Sequence, residues 1–175
     1  MGWFDVTLVL LKEKQLPISF LVDLHRNFKT INLKLEIDDY EFIVFNDTRD
    51  DKENQNKDLN KSMQSDEVIK HLCDWPGLGL LSYRHPDFNF SVTINYLTWD
   101  DKSINGFSIG FNGHEAAAKQ INKFQLINDI AGLVNYQYTI GDIGDCSDNY
   151  IDLRENLSEV IRHIKNRKFE IDLRN

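Results

Sequence analysis

Two cysteines, Cys73 and Cys146, are too few for a disulfide scaffold in a chain of 175 residues. They fit a reducing compartment or a single bridge, and they are read as reduced thiols. No apolar run is long enough to cross a bilayer. The opening Met1-Gly2-Trp3-Phe4-Asp5 has no basic region and no small-residue cleavage site, and Val6 stands where a myristoylation signal needs Ser or Thr. The expectation is therefore a cytoplasmic protein with no membrane contact. Basic charge is short: the net charge of −8 speaks against nucleic acid and anionic membranes and favours a basic partner.

Chemical motifs are also missing. His25, His71, His85, His114 and His163 are scattered without metal-ligand spacing. His71 and Cys73 flank Leu72 and so point to different faces of a helix. The Gly77-Leu78-Gly79 run lacks the third glycine and the helix of a dinucleotide fingerprint. No Walker motif, nucleophile elbow or kinase signature occurs, so neither a cofactor nor a metal is expected.

What is present is ordinary for one globular domain over residues 1–175. Eleven Phe, six Tyr and three Trp supply large core side chains. Residues 3–11, "WFDVTLVLL", read as a buried strand, and Pro17 opens an amphipathic helix to about Lys29. In "LKLEIDDYEFIVF" the alternation of Leu33, Leu35 and Ile37 shifts phase to Tyr40, Phe42 and Val44. A hairpin at Asp38-Asp39 or a bulge explains the shift, and the hairpin is favoured. Residues 46–65 are polar, five acids against four bases, and read as a flexible insertion. A short helix with Val68, Ile69 and Leu72 follows and stops at Pro76-Gly77.

Three strands come next: "GLGLLSYRH", then "FNFSVTINYLTW" with a bulge at Leu97 and Trp99, then "FSIGF" after an Asn105-Gly106 turn. A long helix is expected from His114 to Leu133, buried along Ala117, Ile121, Phe124, Ile127 and Ala131. The strand "NYQYTI" leads to a last helix marked by Leu153, Leu157, Val160, Ile161 and Ile164, with Asp152 as its cap and Glu155 three residues on. "KFEIDL" closes the chain as a strand. The class is α+β, a mixed and mainly antiparallel sheet with a central three-stranded meander packed by about four helices.

The densest feature is "GDIGDCSDNYID", residues 141–152. Its aspartates fall three apart, unlike an EF-hand loop, and no Glu stands at the twelfth position from Asp142. From Tyr136 to Val160 there are six acids and one base, Arg154. Three readings fit: a solvated approach to the last helix, a pair of catalytic carboxylates, or a negative contact surface with Tyr150 as an aromatic anchor. Asp142, Asp145, Asp148 and Tyr150 are the candidate partner-binding residues. Trp99, Asp100 and Asp101 form a second candidate, since a tryptophan beside two acids is either an anchor or a core residue. The basic Arg162, Lys165, Arg167 and Lys168 fit a helix C-terminus.

The acid-rich 142–159 region, Asp100-Asp101 beside Trp99 and the polar 46–65 segment, in a small, aromatic-rich acidic chain, resemble the immunity proteins that bacteria make against polymorphic and contact-dependent growth-inhibition toxins. The resemblance implies a non-enzymatic protein that binds a cognate toxin, often a basic nuclease, and covers its active site. The alternatives are a small metal- or carboxylate-dependent hydrolase or nuclease using Asp142, Asp145 or Asp148 with a distant histidine, and a regulatory or scaffold protein.

Overall fold

The computed structural model describes residues 4–48, 56–118 and 122–175. The first strand is longer than its apolar run: β1 spans Phe4–Gln15. Helix α1, Pro17–Phe28, starts with the proline, whose fixed φ suits the first turn. It buries Leu21, Leu24, His25 and Phe28. A single 3-10 turn at 29–31 ends at Asn32, whose left-handed φ of 59° redirects the chain into β2, Lys34–Leu35.

The favoured hairpin at Asp38-Asp39 is not formed. β2 and β3, Phe42–Phe45, both pair antiparallel with β5, Gly79–Arg84. They are two pieces of one interrupted strand running in the same direction beside β5, separated by an excursion through Ile37–Glu41. The phase shift is therefore that of a large bulge, and the inward residues are Ile43 and Phe45. Tyr40 and Phe42 are exposed.

The segment read as an insertion contributes structure. Strand β4, Asn56–Asp58, pairs with β3, and Leu59 is buried; Arg49 to Gln55 lie outside the described residues. Helix α2, Ser65–Asp74, follows, with Asp66 and Glu67 at its positive end.

The meander is present. β5 pairs with β6, Val92–Leu97, and β6 with β7, Ile104–Asn112. Asn105-Gly106 is not the turn: both residues lie inside β7, and Gly106 sits opposite Leu97. The turn is 98–103. There the Asp100 Oδ1 accepts from the amides of Lys102 and Ser103, at 3.0 and 2.8 Å, and Asp101 takes a left-handed φ of 55°. No bulge occurs at Leu97; the β6–β7 register is unbroken, and Leu97 is buried on the other face of the sheet.

The long helix of 114–133 is two helices, α3, Gly113–Ala118, and α4, Lys123–Ala131. Asn122 starts the second by accepting from the Gln125 amide. Ala117 is exposed and Ala116 buried; Phe124 is 43 % exposed, while Leu126, Ile127, Ile130 and Ala131 face the core. Ile121 lies outside the described residues. β8, Tyr136–Gly141, helix α5, Leu157–Asn166, and β9, Ile171–Arg174, complete the chain.

The nine strands among the described residues form one sheet in the order β4-β3-β5-β6-β7-β1-β8-β9, with β2 on β5, and every described pairing is antiparallel. Alternation along β1 serves two cores. Val9 and Leu11 join the larger one, under α1, α2 and α4. Leu8 and Leu10 face the smaller one, closed by α5 and the 143–153 segment. Among the described residues, no helix is long and apolar enough to cross a membrane.

Candidate binding groove

The acidic stretch is the loop that carries the chain from β8 to the smaller core. Its first aspartate is internal: the Asp142 Oδ1 accepts from the amides of Val6, at 2.8 Å, and Gly144, at 3.0 Å. The Ile143 amide donates to the Val6 carbonyl at 2.9 Å. These bonds staple the loop to the start of β1. Gly144 is required there, because a Cβ would meet the Phe4 carbonyl oxygen at 2.9 Å. Ile143 and Ile151 are buried in the smaller core. Between them the Ser147 hydroxyl donates to the Asp142 carbonyl and accepts from the Asn149 amide. This tight turn leaves Asp145, Cys146, Asp148 and Tyr150 pointing to solvent.

A groove of about 490 Å³ lies between this loop and β1. Phe4 and Tyr150 line it, 45 % and 40 % exposed, over Val6, Ile143, Ile151 and Leu153. Asp145, Cys146, Asp152 and Arg154 supply its polar edge. Phe4 reaches across the sheet because Gly110 lies beneath it; a Cβ there would collide with the ring.

Of the six acids between Tyr136 and Val160, four are already engaged. Asp142 holds backbone amides. Asp152 receives the Arg154 guanidinium in two bonds, Nε to Oδ1 at 2.9 Å and Nη2 to Oδ2 at 3.0 Å, and this holds its carboxyl below the usual range. Glu155 pairs with His163 at 3.0 Å, and Glu159 with Arg162 at 2.5 Å. The side chains of Asp145 and Asp148 have no hydrogen bond or ion pair among the described residues. Within this region the carboxylates left without an internal bond are therefore Asp145, which lines the groove, and its neighbour Asp148.

Asp152 does not cap α5, as the spacing to Glu155 suggested. Asn156 does, its Oδ1 accepting from the Glu159 amide at 3.1 Å. The buried residues of that helix are Val160 and Ile164; Leu157 and Ile161 are only partly covered.

Trp99, Asp100 and Asp101 are not among the groove-lining residues. The half-buried Trp99 packs on the smaller core, and its Nε1 donates to the Glu155 carbonyl at 2.8 Å. Asp100 organises its turn and pairs with Lys14 at 3.0 Å. Burial pushes its carboxyl up, but the Ser103 hydroxyl and amide, Lys14 and the Lys102 amide together pull it well below the usual carboxylate range.

Other titratable groups are structural in their surroundings. Cys73 is half-buried, and burial followed by the Asp74 charge pushes its thiol up to about 12, which leaves almost no thiolate at neutral pH. Asp5 is buried, with Lys123 at 3.9 Å, and burial raises its carboxyl despite that cation. Glu36 is buried on Arg84 and Ser91, and Glu41 is raised by its own burial and by its bond to Glu36. Among the described residues, no group of three or more His, Cys, Asp or Glu could hold a metal ion.

Phe4 and Val6 were invisible as groove residues in the sequence, where they belong to a run read as a buried strand. Only the pairing of β1 with β8 brings them to the acidic loop. No family model, curated protein or solved structure matches the chain.

Proposed function

We propose that the protein is an immunity-type binding protein that neutralises a cognate, basic toxin domain by covering its active site with the acidic surface around this groove. The observation that carries the reading is the pair of exposed carboxylates, Asp145 and Asp148, without a bond among the described residues, near the exposed rings of Phe4 and Tyr150. Exposed aromatics over an apolar floor suit a desolvated contact, and flanking acids steer a basic partner. The net charge of −8 acts in the same direction over longer range. For a nuclease toxin, the acids stand in for substrate phosphates. The reading places the protein in the cytoplasm, where such a toxin would act.

A hydrolase using Asp142 is less well served, because that carboxylate already accepts from two backbone amides. The test is capture of a partner from the source organism, followed by association kinetics. Changing Asp145 and Asp148 together to Asn should slow association and flatten its salt dependence, with the melting curve unchanged. Equal rates and salt slopes for the variant and the parent would remove this surface from the proposal.

A further inference from the structure

Building on the proposed binding role of the groove, we infer that it seats an arginine side chain of the partner protein. The floor is apolar, from Val6, Ile143 and Ile151, and two half-exposed rings, Phe4 and Tyr150, border it. Of the charged groups that line it, Asp152 and Arg154 satisfy each other in a two-bond pair. Asp145 is the remaining charge, and it is a carboxylate without a partner among the described residues. An occupant must therefore bring a cation that tolerates an apolar, aromatic setting.

A guanidinium fits these requirements better than an ammonium. It is planar, weakly hydrated, stacks on aromatic faces and offers a fork of donors to a carboxylate. A lysine ammonium is a compact, strongly hydrated point charge and gives up more water over the same floor. The groove also holds one guanidinium of its own: Arg154, which lines it together with Tyr150, lies against Asp152. The volume of about 490 Å³ falls within the range of about 300–1,000 Å³ typical of ligand sites, so residues flanking the arginine enter with it.

The experiment uses the full chain, ¹⁵N-labelled, titrated with acetyl-arginine amide, acetyl-lysine amide and acetyl-citrulline amide. Citrulline keeps the shape of arginine and removes its charge. Shifts should centre on Gly144, Asp145, Cys146, Tyr150 and Leu153, with arginine binding about tenfold tighter than citrulline. Asp145→Asn should reduce arginine to the citrulline level while leaving the rest of the spectrum in place. Tyr150→Leu should weaken arginine more than lysine. Shifts scattered over other acidic residues, equal binding of lysine or citrulline, or an unaffected Asp145→Asn variant would each overturn the inference. Failure here is separable from failure of the proposed function. A basic toxin domain bound through Asp145 and Asp148 without arginine preference leaves that function standing, whereas arginine binding with no toxin partner does the reverse.

Discussion

His25 Nε2 and the Tyr83 hydroxyl lie 2.5 Å apart in the larger core, and the same hydroxyl hydrogen-bonds that of Tyr96. All three side chains are buried, His25 on α1 and the tyrosines on neighbouring strands β5 and β6. A neutral imidazole suits this triangle: Nε2 accepts from Tyr83, whose oxygen accepts from Tyr96. Burial is what opposes a charge on the ring, and it lowers the histidine from 6.5 to about 4.

The first prediction follows from that displacement. Between pH 4 and 6.5 the unfolded chain binds a proton at His25 that the folded chain refuses. Stability therefore rises with pH across the window, is complete above about 6.5, and is lost as pH falls toward 4. The contribution is on the order of 3 kcal/mol. Denaturant midpoints measured from pH 4 to 7 should show the slope, and His25→Phe should flatten it. Equal pH slopes for the parent and His25→Phe over this window would show that the ring accepts a proton in the fold.

The aspartates of the 141–152 loop should separate into two kinds. Asp142→Ala removes the acceptor for the Val6 and Gly144 amides and should cost about 1–3 kcal/mol. Asp142→Asn keeps an oxygen and should cost less. Asp145→Asn and Asp148→Asn should stay within about 0.5 kcal/mol of the parent in chemical denaturation. Equal destabilisation at all three positions would mean that Asp145 and Asp148 have internal partners.

At the last helix, Asn156→Ala should cost about 1 kcal/mol through loss of the cap on the Glu159 amide. Asp152→Ala should cost less, since it loses an exposed pair with Arg154 and no helix amide. Thermal melts of the two variants decide the order.

Core truncations on the same helix rank by burial. Ile164→Ala should destabilise by about 2–5 kcal/mol, and Leu157→Ala and Ile161→Ala by less, because both side chains remain partly in water. Loss of more stability at Leu157 than at Ile164 would place the helix in a different rotation.

Much of this fold follows from local pattern. Period-two alternation in 92–96 and 107–111 marks the inner face of β6 and β7, and Pro17, Pro76 and Gly77 punctuate the first two helices as local sterics require. The negative charge of the 142–159 region is likewise plain from composition.

Where local signals compete, the pattern misleads. Asn105-Gly106 has the chemistry of a tight turn, yet it lies within β7, because Asp100 closes the turn earlier with its own carboxylate. The apolar stripe through 114–133 ignores Asn122, whose cap restarts the helix and turns Phe124 outward. Asp152 has a cap-like spacing, but Arg154 claims its carboxylate and Asn156 takes the role.

Composition alone determined that this chain carries excess acid near residue 145 and a sheet rich in aromatics. It could not assign partners to those acids, since each pairing joins groups whose distance depends on the path of the chain. Only the antiparallel pairing of β1 with β8 puts Phe4 and Val6 against the 141–152 loop, more than a hundred residues away in sequence. That tertiary contact binds Asp142 internally and leaves Asp145 and Asp148 to solvent. The groove is therefore a property of strand order, because a long-range hydrogen-bond ladder, and no local propensity, sets which surfaces meet.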